Sequence, residues 1–332
     1  MAISYSSKVD IRGNALEPIY AELLYMNKTV GEQLVTFADD IKAETIITET
    51  SQTAPFQAYS SGAPSSSGTL TLADTTITPT KIMMYQEFDY ETLRTSRFKR
   101  GMRAGAWEIV SDEFARWVLD NVSGEVSQNA ESLFWNAATS ATKTAVAALT
   151  PGTGQTSVGA AEQTYVAAAP SGLIDGIVTR MIYNNAAVGG RVKVAGTTIS
   201  NSNIAAEYAK AYEALPAINL HTGGNLPFIY APFSHKQFIN IYNINATYRD
   251  LFSVQGDRYF YNGLEIKFVP LPENCVIIAK PDHLLWCTDL TSDIQKLVID
   301  KIANNREDYF CKAIFTQFAH VVRQAMNVLY LG

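Results

Sequence analysis

The run GAWEIVSDEFARWVLDNVSGEVSQNAESLFWN, residues 105–136, decides how the rest of the chain is read. Trp107, Val110, Phe114, Trp117, Val118, Val122, Val126, Leu133 and Phe134 recur mostly in steps of three and four, which keeps one face of an α-helix apolar. Glu108, Asp112, Glu113, Arg116, Asp120 and Glu125 lie largely off that face. No proline interrupts the run, and at ~1.5 Å per residue the helix would be ~50 Å long. A globular helix averages ~12 residues, so one of this length needs a structural reason. A coiled coil would hold a seven-residue repeat, and this stripe drifts off one. The run therefore predicts a spine along which other elements pack. Gly124, midway, is the expected site of any bend, because glycine costs about 1 kcal/mol in a helix.

Before the spine, residues 1–13 read as an extended arm, and Leu16, Ile19, Tyr20, Leu23 and Leu24 give a short amphipathic helix with Pro18 in its first turn. Thr45 to Thr50 alternates, and then Ala54 to Gly68, APFQAYSSGAPSSSG, carries no charge at all. Thr69 to Leu72 alternates again, and Lys81 to Tyr90 is rich in apolar and aromatic residues. Two strand-like arms around a flexible tip describe a long hairpin. Such a hairpin cannot bury both faces within one subunit and needs a partner surface. The alternative on composition is a disordered surface insertion. Next comes RTSRFKRGMR, with Arg94, Arg97, Lys99, Arg100 and Arg103 in ten residues. Nucleic-acid binding is the sharper reading of that cluster. In an acidic chain with no aromatic platform beside it, pairing with a neighbour's carboxylates is favoured.

After the spine, Ala137 to Pro170 is an Ala, Thr, Gly and Ser segment whose charges are Lys143 and Glu162, and it reads as a boundary between domains. An α/β alternation follows. Ile174, Ile177, Val178, Met181 and Ile182 form a helical face behind a Ser171 cap, and Arg191 to Val194 is a short strand. Ile204, Tyr208, Ala211, Tyr212 and Leu215 make a second helix, stopped by Pro216. Leu226 to Tyr230 is a strand leading into a helix where Ser234 and Gln237 have capping-box spacing. Asn262-Gly263 marks a type I′ hairpin, with Leu264, Ile266 and Phe268 on one face of its second strand. Cys275 to Ala279, Ile294 to Ile299, Tyr309 to Phe318, Val321-Val322 and Val328 to Leu331 are further strands.

The 332 residues suffice for about two domains with a large core. A net charge of −6 argues against a body that wraps nucleic acid. Seventeen Tyr and 15 Phe suit large packed surfaces. Cys275, Cys287 and Cys311 are odd in number and widely spaced, so no disulfide framework is implied. With no apolar signal core and no membrane-length run, the composition predicts a soluble protein made in a reducing cytoplasm.

A search for chemistry finds no phosphate loop, dinucleotide loop, zinc helix, calcium loop or nucleophile elbow. Asp282, His283, Cys287 and Asp289 form the cluster worth weighing. Leu284-Leu285-Trp286 reads as a strand, which separates His283 and Cys287 by over ~12 Å, too far for a shared metal or a nucleophile–base pair. The expectation is no catalytic residue, no metal and no cofactor.

The order of these elements resembles the major capsid proteins of tailed bacteriophages, with the Hong Kong 97-type fold. The resemblance spans nearly the whole chain. The residues that carry it are the hairpin, the run Lys81 to Leu93, the spine helix, and the late segment from Gly256 through Asn262-Gly263 to Trp286 and Asp289. It implies an α+β fold: an N-terminal arm and short helix at 1–40, an extended hairpin loop at 41–95, a peripheral domain with the spine helix at 96–170 and 286–322, and an α/β axial domain at 171–285 and 323–332. It implies a non-enzymatic shell protein, assembled in the host bacterial cytoplasm and resident in the virion. Pentamers and hexamers of this chain would make the shell. A separate scaffolding protein, a portal and decoration proteins would be its partners, with packaged DNA touched weakly and no membrane. Arg94, Arg97, Lys99, Arg100, Arg103, Phe56 and Tyr59 would be inter-subunit contacts. The spine's apolar stripe would cover the peripheral sheet and its polar face the particle interior. Some members crosslink a lysine of the extended loop, but no lysine lies between Ala43 and Thr80 here. The chain runs from Met1 straight into the arm, so any scaffold is expected to be a separate protein. An encapsulin-like bacterial compartment is the alternative within the fold, an α/β enzyme and a tail protein the alternatives outside it.

Overall fold

The computed structural model describes residues 9–11, 28–41, 44–53, 56–59, 61–62, 68–89, 112–184, 187–220, 226–245, 251–289, 297–302 and 309–332. Two sheets organise them. The first runs β1 (Val9–Ile11), β15 (Leu297–Lys301), β16 (Tyr309–Val321), β14 (Leu284–Cys287), β2 (Thr36–Ala38), with β5 (Thr80–Phe88) also paired to β16. The second runs β10 (Phe252–Gln255), β11 (Arg258–Tyr261), β12 (Leu264–Phe268), β9 (Phe228–Ala231), β13 (Cys275–Ala279), β17 (Val328–Leu331), β8 (Val192–Ala195). A separate hairpin pairs β3 (Thr45–Thr53) with β4 (Thr69–Ile77), and β6 (Tyr183–Asn184) pairs with β7 (Ala187–Val188).

The spine helix is present over Asp112–Asn136 and runs through Gly124 without a break. Its predicted first turns fall outside the described residues, as does the amphipathic run from Leu16 to Leu24. Its C-terminal end joins the two sheets. Phe134 stacks on Trp286 of β14 with ring centroids 4.4 Å apart, and Trp135 meets Tyr230 of β9 at 5.2 Å. The Trp135 indole donates to Thr29 Oγ1 at 2.9 Å, and Thr29 N donates to Glu131 Oε1 at 2.9 Å, which ties the short helix Lys28–Gly31 to the spine. Gln317 Nε2 donates to Ala130 O at 2.9 Å, fixing the spine to β16. These bonds satisfy the Trp135 indole N–H and the Gln317 amide N–H, as burial favours, while the buried Gln317 Oε1 has no hydrogen-bond partner among the described residues.

A second core fills the space between the second sheet and the helices Ile204–Glu213 and Ser234–Asn245, where Tyr208, Phe252 and Tyr261 meet edge to face or tilted. The Asn262-Gly263 turn has φ of 46° and 83°, the pair of positive values that a type I′ hairpin requires. Leu264, Ile266 and Phe268 are buried in alternation with Glu265 and Lys267.

Three local expectations are corrected. Ala137 to Pro170 is no simple boundary: it folds into helices Ser140–Ala147 and Ala160–Ala168. Its two charges hold it in place. Lys143 Nζ donates to Ala167 O and Ala169 O at 3.3 and 2.5 Å, closing the second helix. Buried Glu162 accepts from Gly159 N at 2.7 Å and from Arg191 Nε at 3.0 Å, with Lys193 Nζ at 3.6 Å. The helix after it is the single stretch Ile177–Ile182, capped by Gly176 rather than Ser171, which instead forms a β-bridge with Ala138. The Ser234–Gln237 box does not form, since the buried Ser234 Oγ has no hydrogen-bond partner.

The exposed edge of β8 is also handled by a side chain. Gln155 Nε2 donates to Lys193 O at 3.0 Å and Gln155 Oε1 accepts from Lys193 N at 2.6 Å, so one amide mimics a neighbouring strand.

Candidate assembly interface

The hairpin of β3 and β4 is nine residue pairs long, from Thr45↔Ile77 at its base to Thr53↔Thr69. Its strands are dominated by Thr, Ile and Leu, which suit a pleated, half-buried surface. Period-two alternation splits them into two faces. On one face Ile77 is fully buried and Ile47 packs beside it, against Ile41, Cys287 and Phe318. On the other, Ile46, Leu70 and Leu72 are 60%, 63% and 60% exposed. At the tip, Phe56 and Tyr59 are fully exposed. The predicted contacts Arg94, Arg97, Lys99, Arg100 and Arg103 lie outside the described residues.

The hairpin base is also tied to the second sheet's margin. Arg323, held in the left-handed region at φ 48°, donates its backbone N–H to Glu49 Oε1 at 3.2 Å. Ile47 to Thr50 form one wall of a cleft of about 390 Å³, and Lys280, Asp282, His283, Val322 and Arg323 form the other.

That cleft takes in part of the one cluster weighed for chemistry, and the geometry splits the cluster. His283 sits in the turn Pro281–His283, where its Nδ1 donates to Asn327 Oδ1 at 2.8 Å. Burial lowers its pKa. Cys287 ends β14 inside the small core under the hairpin, where burial pushes its thiol up to about 12. A protonated, inaccessible thiol is neither nucleophile nor metal ligand. Asp289 lies beyond the end of β14, where its N–H donates to Thr316 Oγ1 at 2.9 Å. Among the described residues no group of three or more His, Cys, Asp or Glu side chains is placed to hold a metal.

Sequence reasoning missed the polar residues buried under the hairpin. Arg180 reaches from helix Ile177–Ile182 to lie 4.1 Å over the Phe318 ring. Burial brings its pKa down to about 10, opposed by Asp175 and Cys287. His320, two residues along β16, is buried with neither ring nitrogen bonded. Its burial, reinforced by Arg180, holds it down to about 4. Within the strand-like run Tyr309 to Phe318 and beyond, nothing in the sequence separates these from ordinary surface polar positions.

The architecture is that of phage capsid proteins. No protein-family model matches the chain, and no curated protein sequence does. Solved structures do. A chain of the satellite phage P4 procapsid including the size determination (Sid) protein matches with a TM-score of 0.56 at 10% identity, covering 98% of this chain and 93% of that one. The capsid of an empty GTA particle matches with a TM-score of 0.56 at 10% identity, covering 100% and 95%. The capsid of Myoviridae phage XM1 matches with a TM-score of 0.53 at 10% identity, covering 92% and 91%. The mixed helix-and-sheet fold that the resemblance implied is therefore the fold of this chain.

Proposed function

We propose that this protein is a major capsid protein that self-assembles into the icosahedral shell of a tailed-phage head around double-stranded DNA. The observation that carries the reading is the end-to-end match to capsid chains: 98% of this chain and 93% of the P4 procapsid chain align. A fold hosts many functions, so the projecting hairpin matters too. It carries Ile46, Leu70 and Leu72, each about 60% exposed, on one face of the arm. Exposed apolar surface of this kind marks a protein–protein contact. The named structures are all phage or GTA capsids, which favours the phage reading over an encapsulin-like compartment.

In this reading the chain divides as the resemblance implies, into arm and short helix, extended hairpin, peripheral domain with spine, and axial domain. Pentamers and hexamers form around the axial domain, and the hairpin lies over a neighbouring subunit. Arg94, Arg97, Lys99, Arg100 and Arg103 pair across subunits near the hairpin's base. Each exposed pair contributes only about 0–1 kcal/mol, but a shell repeats it at every contact. The protein is no enzyme. It assembles in the host cytoplasm with a separate scaffolding protein and a portal, accepts decoration proteins, and contacts packaged DNA weakly because its net charge is −6.

Negative-stain microscopy of the expressed protein, with and without co-expressed neighbouring reading frames, tests this. Closed shells or capsomer rings are expected. A strictly monomeric protein in every condition would overturn it. Charge reversal of the five basic residues tests their pairing: normal shells from that variant would remove it.

A further inference from the structure

Resting on the shell reading above, we infer that Gln155 is a specificity-determining residue of assembly. It closes the β8 edge of the second sheet against the β10 edge of another copy, and without it copies join edge to edge into open filaments.

The second sheet ends in β8 on one side and β10 on the other. In β8, Val192 N and Gly196 N donate inward to Asn327 O and Leu331 O, each at 2.8 Å. Lys193 lies between them and turns its own N–H and C=O outward, where both bond the Gln155 amide at 2.6 and 3.0 Å. A primary amide carries a donor and an acceptor side by side, as a peptide group does. Ala195, two residues on, presents its pair to the same side and is exposed.

The loop that carries Gln155 is held independently of that amide. Lys193 Nζ donates to Gly152 O at 2.7 Å, and Arg191 Nη2 donates to Ser157 O at 3.2 Å. Gly152 N donates to Val158 O at 2.8 Å, which closes the loop's neck. Both cations also reach the buried Glu162. The loop is therefore pinned on either side of Gln155, and the amide arrives at the strand edge already ordered. Truncating Gln155 opens the edge while these anchors stay in place.

The opposite edge is covered by half as much. Asn243, on the helix Ser234–Asn245, donates its Nδ2 to Phe252 O at 3.2 Å. Its Oδ1 has no hydrogen-bond partner, so this amide takes a carbonyl and leaves the N–H groups of β10 alone. Val254, two residues along, faces the same side and is 43% exposed. Among the described residues no strand pairs the outer side of β10. Val192–Ala195 and Phe252–Gln255 are each four residues long, so the sheet carries two edges of equal length. A β8-to-β10 contact uses a different surface on each copy and leaves a fresh edge at either end. Such a contact propagates without closing and draws subunits away from a closed shell. Shutting one of the two edges is enough to stop it, and that selects a second copy as the chain Gln155 excludes.

The test expresses the full chain with Gln155→Ala, and separately with Gln155→Asn, which keeps the amide but falls a methylene short. Both are expected to exchange the Lys193 amide hydrogen about ten-fold faster than wild type. In negative stain both should give filaments under conditions where wild type gives shells or rings. Adding Ala195→Pro or Val254→Pro, each of which deletes one outward N–H, should abolish the filaments. Ala195→Cys with Val254→Cys on the Gln155→Ala background should form intermolecular disulfides, since native Cys275, Cys287 and Cys311 are buried. Either Gln155 variant that stays folded, exchanges Lys193 faster and still assembles as wild type overturns the inference. Filaments indifferent to both prolines overturn it too, because another surface then builds them. Wild-type protein that forms no shell or ring overturns the capsid reading, while proline-sensitive filaments from the variants still uphold the edge contact.

Discussion

Phe134 and Trp286 lie nearly parallel, 23° apart in plane with ring centroids at 4.4 Å, and both are buried. One belongs to the spine helix and the other to β14, so this stack is the joint between helix and first sheet. Phe134→Ala should destabilise the folded chain by about 3–5 kcal/mol. A double-mutant cycle with Trp286→Leu should show coupling of about 0.5–1.5 kcal/mol in denaturant unfolding. Additive effects would mean the rings are merely neighbours.

Glu162 is buried between Arg191 and Lys193. Removing one partner of a buried pair leaves an uncompensated charge. Glu162→Ala should cost about 3–5 kcal/mol in a urea melt. It should also release the Ala160–Ala168 helix to faster hydrogen exchange.

Acid should weaken the fold through His320. A free imidazole titrates near ~6.5, whereas burial and then Arg180 hold this one at about 4. The folded state therefore takes up the proton less readily than the unfolded chain. Stability from this residue is complete above ~6.5 and is lost as pH falls through 4. Arg180 is the charged group that acts on it among the described residues, and it disfavours the imidazolium further. His320→Phe should flatten the drop in unfolding midpoint between pH 7 and 4.5, though not abolish it, because burial also holds His235 at about 4. An unchanged slope would assign the acid sensitivity elsewhere.

Among the described residues nothing lies within 4 Å of where a β-carbon on Gly124 would sit, and the helix is continuous there. Gly124→Ala should raise stability by about 1 kcal/mol, read as an increase in thermal midpoint of the unassembled protein. A decrease would show that the spine needs its glycine.

Long-range order was legible because it rests on strong local periodicity. The spine from Asp112, the Asn262-Gly263 hairpin and the β13 strand all announce themselves by spacing or by a turn residue with one conformational use. Caps were less legible. Ser171 and Ser234 have the right chemistry, but the chain enters each helix elsewhere, and tertiary packing chose the entry. Ala137 to Pro170 misled because small residues give no stripe. Its helices are held by Glu162 and Lys143, whose partners Arg191 and Ala169 come later in the chain. The hairpin was visible as alternation, but which of its faces is bare depends on where Ile77 docks, and that is a tertiary fact.

Gln155 gives the edge of β8 a substitute neighbour. An open strand edge is a template on which any extended chain can crystallise, its own siblings included. Under the shell function proposed above, the protein accumulates at high concentration before assembly, where that invitation would lead to fibres. With Lys193 N and O both occupied by a single amide, an incoming strand cannot pair at that residue without displacing Gln155.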